Sequence, residues 1–441
     1  MARMKRTGTV ALLPTALELA VFMHLDGSFV PAGLLNLTEE GTNVLASSFT
    51  YGTRYIERAN AAEIDPVSLP LSDPETIRGV ELFPVEGLTL FGGIRDAAPD
   101  GWGRRVIESR LHAPLNSLPE STYLLAAGSE RMGALDIRTG LQAGEKTNPR
   151  TGIRRLEYLM EAADRIEAGS PIPAQLEDIF DAGSSMGGMR PKATVEDEAG
   201  KQWLAKFRSN NDPMDVPCIE AATLRLAGAA GLDAPEVKTE TLAGRTVMLI
   251  ERFDRTLLDG SACRRHMISA LTMLGCHESE SRNKSYGEIA DRIRRHGVAQ
   301  FVKRDQRELF GRMVFNILVT NDDDHLRNHA FLWDGEHKGW RLSPLYDVMP
   351  RPMVSYERHL HLGVGLAGRL ATLDNALSAA SRFGLTRLDA NEVIDTIWRV
   401  VAKWREFFVS YGVPGAESEK IAPAFRPIDD VLSTDAASDT A

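Results

Sequence analysis

The sequence predicts an α+β fold, and three observations carry that expectation. Residues 1–150 break into short strand-like runs separated by turn signals. Two more strand-like runs follow a glycine-rich stretch at residues 183–192, with a third ending near residue 253. From about residue 257 the apolar residues recur at helical spacing instead. At 441 residues the chain is long enough for two or three domains and a large core.

Composition narrows the class. Hydrophobic residues make up 43% and charged residues 25%, as in soluble globular proteins. The net charge of −10 argues against broad contact between this chain alone and a nucleic-acid backbone. The three irregularly spaced cysteines point to a reducing compartment without a disulfide framework. Arg3, Lys5 and Arg6 before the apolar run Val10–Met23 suggest an export leader, but Pro14 and Glu18 interrupt the run and no small-residue cleavage site closes it. No run reaches membrane-spanning length, so a cytoplasmic location is expected.

The first region, residues 1–150, reads as a small α+β subdomain with an antiparallel sheet. VFMHL, FVPAGLL and SSFTYGTRYI are its strand candidates, and Asp26-Gly27 is a strong hairpin signal. A helix is expected after DAAPDGWG, from Arg104 to Leu111, with Trp102 near its start reading as core rather than as a partner contact. No catalytic constellation occurs here.

Residues 151–256 form the second region. Ile153, Leu156, Leu159, Met160, Ala163 and Ile166 lie at helical spacing, and a short helix carrying Leu176, Ile179 and Phe180 follows Pro171 and Pro173. GSSMGGMRPK then precedes the strands KATV and KQWLAKF. Gly187 and Gly188 lack a Cβ, so their backbone amides can approach phosphate oxygens, and Arg190 and Lys192 add cations. The spacing is neither a Walker motif nor GxGxxG, and a flexible hairpin would look similar. Lys206, between Leu204 and Phe207, is a cation on the following strand, placed to contact nucleotide phosphates. Its partner could be Glu220 on the helix near Pro217, though a surface glutamate favoured by the helix dipole reads equally well. Glu251-Arg252-Phe253 ends the strand RTVMLIERF where a hinge would offer backbone hydrogen bonds to adenine.

The third region, residues 257–428, is expected to be helical. Ile394, Ile397, Trp398, Val401, Trp404 and Phe408 form one stripe, read as bundle core. Cys263, His266, Cys276 and His277 match no common zinc spacing. The chemistry gathers in NILVTNDDDHLRNHAF, residues 316–331, with Asp347 nineteen residues after Asn328. An aspartate, an asparagine and a later aspartate suit phosphoryl transfer: one carboxylate takes the acceptor's proton, while the amide and the second carboxylate offer oxygen ligands to Mg²⁺. An acidic loop capping helices is the plain alternative. The small, acidic residues 429–441 are expected to be disordered.

Taken together, GSSMGGMRPK, WLAKF, ERFDR, TNDDDHLRNHAF and RLSPLYDV resemble, in order and spacing, the HipA family of serine/threonine kinases, toxins of bacterial toxin–antitoxin modules. LFGGIRDAAPDGWGRRVI and YLLAAGSERMGAL extend the resemblance over about residues 10–410. It implies a protein-kinase-like two-lobe fold with an extra N-terminal antiparallel-sheet subdomain and an all-helical C-lobe. It places Asp323 as the catalytic aspartate, Asn328 and Asp347 as Mg²⁺ ligands, and Lys206 on the ATP phosphates. Gly187, Gly188 and His325 fall in the ATP site, Glu251 and Phe253 at the adenine hinge, and Ser185 at the autophosphorylated serine. The runs Asp322-Asp323-Asp324 and Ser184-Ser185 leave both assignments open by one position.

The resemblance further implies ATP and Mg²⁺ as cofactors and an aminoacyl-tRNA synthetase as target. It also implies a HipB-like helix-turn-helix antitoxin as partner, through which operator DNA is mainly bound. Autophosphorylation would silence the enzyme by placing negative charge where ATP phosphates bind. Two other readings stay open: the same fold acting on a different protein or small molecule, and a non-catalytic antitoxin-binding co-repressor.

Overall fold

The computed structural model describes residues 13–71, 73–146, 150–185, 187–258 and 261–432. Arg3, Lys5 and Arg6 of the leader-like stretch lie outside the described residues, whereas most of its apolar run is a β-strand, Thr15–Leu25. Among the described residues no helix is long and apolar enough to cross a membrane.

The N-terminal sheet is four-stranded and antiparallel. β1 (Thr15–Leu25), β2 (Ser28–Glu40) and β3 (Asn43–Tyr51) form a meander, and β4 (Leu135–Arg138) pairs with the free side of β1, giving the order β3-β2-β1-β4. Asp26 (φ 47°) and Gly27 (φ 82°) turn β1 into β2 with Leu25 facing Ser28. Positive φ at both central residues matches the right-handed twist of the flanking strands, and Asp and Gly tolerate it. The expected strand at SSFTYGTRYI ends at Tyr51; Thr53–Ile56 is a short helix that tucks Tyr55 and Ile56 into the core.

Helix α1 (Gly101–Leu111) crosses from this subdomain to the next. Trp102 and Val106 are buried in one cluster with helix α2 (Leu156–Glu167) and strands β5 (Lys192–Glu196) and β6 (Gln202–Phe207). The packing is therefore continuous across the expected boundary at residue 150. Trp102 is core, as read from the sequence, and it does more: its indole donates to the Lys192 carbonyl at 2.7 Å, and its backbone N–H to that of Gly188 at 2.8 Å.

The second antiparallel sheet has the order β5-β6-β8-β7, with β7 at Val237–Leu242 and β8 at Arg245–Glu251. Helix α3 (Val216–Ala229) lies against β7 and β8, capped at its N-terminus by the Asp215 carboxylate, which accepts from the Cys218 N–H. The N-terminal subdomain is fastened here by a buried charge cluster. Arg252 donates to the carbonyls of Glu130 and Arg131, and Asp254 accepts from the Gly133 N–H at 2.8 Å.

The C-lobe is mainly helical, as expected, with α4 (Tyr286–His296), the long α5 (Val302–Val319), α6 (Arg387–Val401) and α7 (Trp404–Ser410). The predicted stripe is buried at Ile394, Ile397, Val401, Trp404 and Phe408, and the helix breaks once, at residues 402–403. The expectation of an all-helical lobe needs one correction. A hairpin, β9 (Arg255–Leu258) with β10 (Ser261–Arg264), opens it, and β11 (Met267–Ser269), β12 (Ala330–Asp334) and β13 (Gly339–Leu342) form a small antiparallel sheet. AFLWD and GWRL are rich in residues that suit a half-buried pleated surface, and Lys338 at φ 49° turns one into the other. The expectation of disorder from residue 429 also fails for Asp429–Leu432, which form a helical turn because Val431 has a buried place in the core.

Candidate active site

The site begins with two cations that the sheet forces together. Lys192 on β5 is directly opposite Lys206 on β6. Like charges facing one another across strands are destabilising unless neutralised. Neutralisation comes from α3 and from the loop after β13: Lys206 Nζ lies 2.5 Å from Glu220 Oε1 and 3.2 Å from Asp347 Oδ1. Burial alone would push Lys206 down, but Glu220 and Asp347 outweigh it and hold the ammonium above the usual lysine range. The Glu220 partnership was one of two readings from sequence, and the structure selects it.

Lys192 is placed differently. Its Nζ donates to the Gly187 carbonyl at 2.6 Å, closing the glycine-rich loop over its own strand. Burial, reinforced by Lys206, lowers its pKa to about 8. Gly188 sits at φ 80°, a conformation that favours glycine; a Cβ there would meet the Lys192 ammonium at 2.3 Å and push that flexible side chain aside. Ser185 is buried, with its hydroxyl donating to the Glu130 carbonyl at 3.2 Å; Ser184 is buried beside it.

The three consecutive aspartates separate sharply by environment. Helix α5 ends at Thr320, in the left-handed conformation at φ 51°, and the chain turns into the triplet. Asp324 points inward: its Oδ2 accepts from the Tyr286 hydroxyl, the Asn316 amide and His329. Burial would raise its pKa, but His329, with the Tyr286 hydroxyl and His325, keeps it below the usual carboxylate range. Asp323 points outward, half exposed, with Arg351 Nη2 at 2.7 Å from its Oδ2. Asp322 lies between these extremes, its Oδ1 3.3 Å from Arg351 Nε.

Asn328 donates through Nδ2 to the Asp323 carbonyl at 3.1 Å, which fixes the amide and turns its oxygen away from that bond. Asp347 follows at φ 58°, a conformation aspartate tolerates better than most side chains. Lys206 lowers its carboxyl to about 2, so it is ionised at any physiological pH. Among the described residues no group of three His, Cys, Asp or Glu side chains forms a metal cage. One carboxylate and one amide oxygen do fit Mg²⁺, which keeps several waters and takes few protein ligands. The buried Nδ1 of His325 has no hydrogen-bond partner among the described residues. Such an orphaned polar atom suits a ligand contact.

The predicted hinge is only partly available. The Glu251 carboxylate pairs with Lys201 at 3.0 Å, and the N–H groups of Glu251 and Arg252 already donate to the Glu236 and Gln202 carbonyls. Phe253 leans on Tyr346 with ring centroids 5.7 Å apart, tying the end of β8 to the residue before Asp347. Sequence reasoning passed over Arg351 and the Glu130 carbonyl. Arg351 is four residues beyond Asp347, but nothing in its spacing shows that it turns back onto the triplet.

Comparison with known proteins agrees with this arrangement. The HipA-like C-terminal domain matches residues 184–404, and the HipA N-terminal domain matches residues 24–138. Y4mE of Sinorhizobium fredii, named as a candidate kinase, is 32% identical over 136 residues, covering 30% of this chain and 31% of that protein. The serine/threonine-protein kinase toxin HipA of Shewanella oneidensis is 23% identical over 241 residues, covering 49% of this chain and 54% of that protein. The chain thus spans from just under a third to just over half the length of these curated relatives. A solved Shewanella oneidensis structure, HipA with HipB and its operator DNA, superposes with a TM-score of 0.64 at 17% identity, over 93% of this chain and 96% of that one. That likeness establishes the α+β, kinase-like two-lobe fold. With its C-terminal domain model alone matching half of the sequence, the chain belongs to the HipA family.

Proposed function

We propose that the chain is an ATP- and Mg²⁺-dependent protein serine/threonine kinase acting as the toxin of a HipBA-type module. The observation that carries this reading is the convergence of Lys206, Glu220 and Asp347 from three separate elements at one point. A buried lysine held by a helix carboxylate and a loop carboxylate is the arrangement phosphoryl transfer uses to fix nucleotide phosphates.

In this reading Lys206 and the glycine-rich loop, with Gly187 and Gly188, hold the triphosphate. Glu251, Phe253 and His325 contact the rest of the nucleotide. Asn328 and Asp347 hold Mg²⁺, which when bound neutralises phosphate charge. Asp323 accepts the proton of the attacking hydroxyl; Asp324 is committed to Tyr286, Asn316 and His329 and serves to position the loop.

Ser185 is the proposed self-phosphorylation site. Its hydroxyl is buried against Glu130, so the loop has to leave its present place before the serine can accept a phosphate. Once phosphorylated, it would carry nearly two negative charges and three more oxygens, which the buried place against the Glu130 carbonyl does not accommodate, so return of the loop would be opposed. Loss of the loop removes the phosphate cradle, which makes the modification self-inactivating.

The target class proposed is an aminoacyl-tRNA synthetase, in the cytoplasm, with dormancy or persistence as the outcome of blocked tRNA charging. A HipB-like helix-turn-helix protein is the proposed partner. With a net charge of −10 on this chain, that partner would supply most of the operator contacts. The test is transfer of labelled phosphate from ATP to a panel of purified synthetases, with Asp323→Asn as control. Labelling of one synthetase by the wild type alone supports the target class. Labelling of none, from an enzyme that phosphorylates itself, removes it.

A further inference from the structure

The cations around the site are unevenly placed. Lys192 is bonded to the Gly187 carbonyl and Lys206 to Glu220 and Asp347, so both lie on the side of the glycine-rich loop. The opposite side, where Asp323 would meet an acceptor hydroxyl, has a different cation. Arg351 Nη2 is 2.7 Å from Asp323 Oδ2, and its Nε is 3.3 Å from Asp322 Oδ1.

Arg351 is held there by its backbone. Its N–H donates to the Thr320 carbonyl at 3.0 Å, and Thr320 directly precedes the Asn321–Asp324 turn. Seven residues on, Arg358 donates to the Thr320 hydroxyl and to the carbonyls of Pro423 and Ala424. The segment 351–358 is therefore fastened at both ends to the residue from which the aspartates emerge. Its register relative to Asp323 is fixed, while the Arg351 side chain remains about half exposed, at 51%.

We propose that Arg351 is a further catalytic residue, whose guanidinium engages the phosphoryl group in transit between ATP and the acceptor. This inference rests on the kinase reading above. In the transfer, the acceptor oxygen forms a bond to the γ-phosphorus as the bond from that phosphorus to the bridging oxygen breaks. The bonding pair leaves on ADP, and the acceptor's proton passes to a carboxylate oxygen of Asp323. Charge is spread over the three equatorial oxygens midway, where a preorganised cation acts most strongly. A group in contact with the base lies beside the acceptor hydroxyl, and hence beside that phosphorus. Arginine suits the position because its planar fork carries five donors, enough to keep one carboxylate contact and donate to phosphoryl oxygens together. It changes no proton in the step.

The contrary role, an autoinhibitory clamp on Asp323, does not fit the exposure. An ion pair this open to solvent restrains its partners by about fivefold at most. Such a hold would not silence an enzyme, and it leaves the guanidinium ready to turn towards a phosphoryl oxygen.

The test is a single-turnover reaction of the full chain with [γ-³²P]ATP and Mg²⁺, followed as self-phosphorylation and as phosphate release to water. Wild type, Arg351→Ala, Arg351→Lys and Asp323→Asn are compared, with the MgATP dissociation constant measured separately. Arg351→Ala should slow both reactions by about a hundredfold or more, with MgATP affinity within about threefold of wild type. Lysine should recover part of the rate, and added guanidinium ion should restore part of the alanine variant's. Equal or faster transfer by Arg351→Ala overturns the proposal, as does a loss that merely follows weakened nucleotide binding. A wild-type protein that transfers no phosphoryl group overturns the kinase reading itself, and this role with it.

Discussion

Lys206 and Glu220, on a strand and on the helix packed behind it, meet at 2.5 Å in the protein interior. Removing one member leaves the other buried without its partner, which typically costs about 3–5 kcal/mol. Lys206→Met should therefore lower the urea midpoint as well as abolish ATP use, and Lys206→Met with Glu220→Gln should regain part of the stability but none of the activity. Because the folded-state pKa of Lys206 is raised, its contribution is complete below the ordinary lysine value. That contribution is lost only as pH climbs through the raised value. Lys206 itself should accordingly contribute no titration to stability near neutral pH, a point that denaturant curves of wild type and Lys206→Met at several pH values would check.

Lys192 carries the opposite sign. Its pKa is lowered to about 8, and phosphate oxygens beside it would raise it again. The nucleotide complex then holds more protons than the free protein, so MgATP affinity should fall as pH rises from about 8 towards the bound-state value. Calorimetry in buffers of different ionisation enthalpy should register proton uptake on binding in this range. Lys192→Met should bind more weakly at neutral pH and lose the slope.

How much of this could be read from the sequence differs by residue. Lys206, Asn328 and Asp347 announce themselves through residue type and spacing, and the hairpin at Asp26-Gly27 through backbone preference. The C-lobe sheet was missed because AFLWD and GWRL are short apolar runs, which periodicity does not separate from helix. The choice within Asp322-Asp323-Asp324 was hidden for a different reason. Three identical residues differ only in what surrounds them: Asn316 and His329 lie near Asp324 in the chain, but Tyr286 reaches it from a separate helix, and no spacing shows which aspartate the three share. Arg351 was invisible because its contact depends on the Thr320 carbonyl holding a loop that returns to the triplet.

The same separation predicts two different phenotypes at adjacent positions. Asp323→Asn should remove phosphoryl transfer with an unchanged melting temperature, since its carboxylate is half exposed. Asp324→Asn should destabilise the fold by about 1–3 kcal/mol, because a neutral amide oxygen accepts the same three hydrogen bonds without the charge that strengthens them. Thermal unfolding and transfer rates measured side by side would separate the two roles, and a stable but inactive Asp324→Asn would reverse the assignment.

Burial of Ser185 sets an order of events. The loop must open before the hydroxyl can be reached, so phosphorylation and exposure of residues 183–191 should go together. Limited proteolysis after incubation with MgATP should cut this stretch faster than in untreated protein. Ser185→Ala should resist that change, with cutting unaltered by MgATP beyond simple protection by the nucleotide. Gly188→Ala, strained at φ 80° and displacing the Lys192 ammonium that closes the loop, should be cut readily even without nucleotide.

The most direct measurement is intact mass and peptide mapping after incubation with ATP and Mg²⁺. One added phosphate is expected on Ser185 of the wild type and none on Asp323→Asn. A phosphate that persists in Asp323→Asn would contradict the assignment of the base. Absence of both nucleotide binding and phosphate from well-folded wild-type protein would contradict the kinase itself.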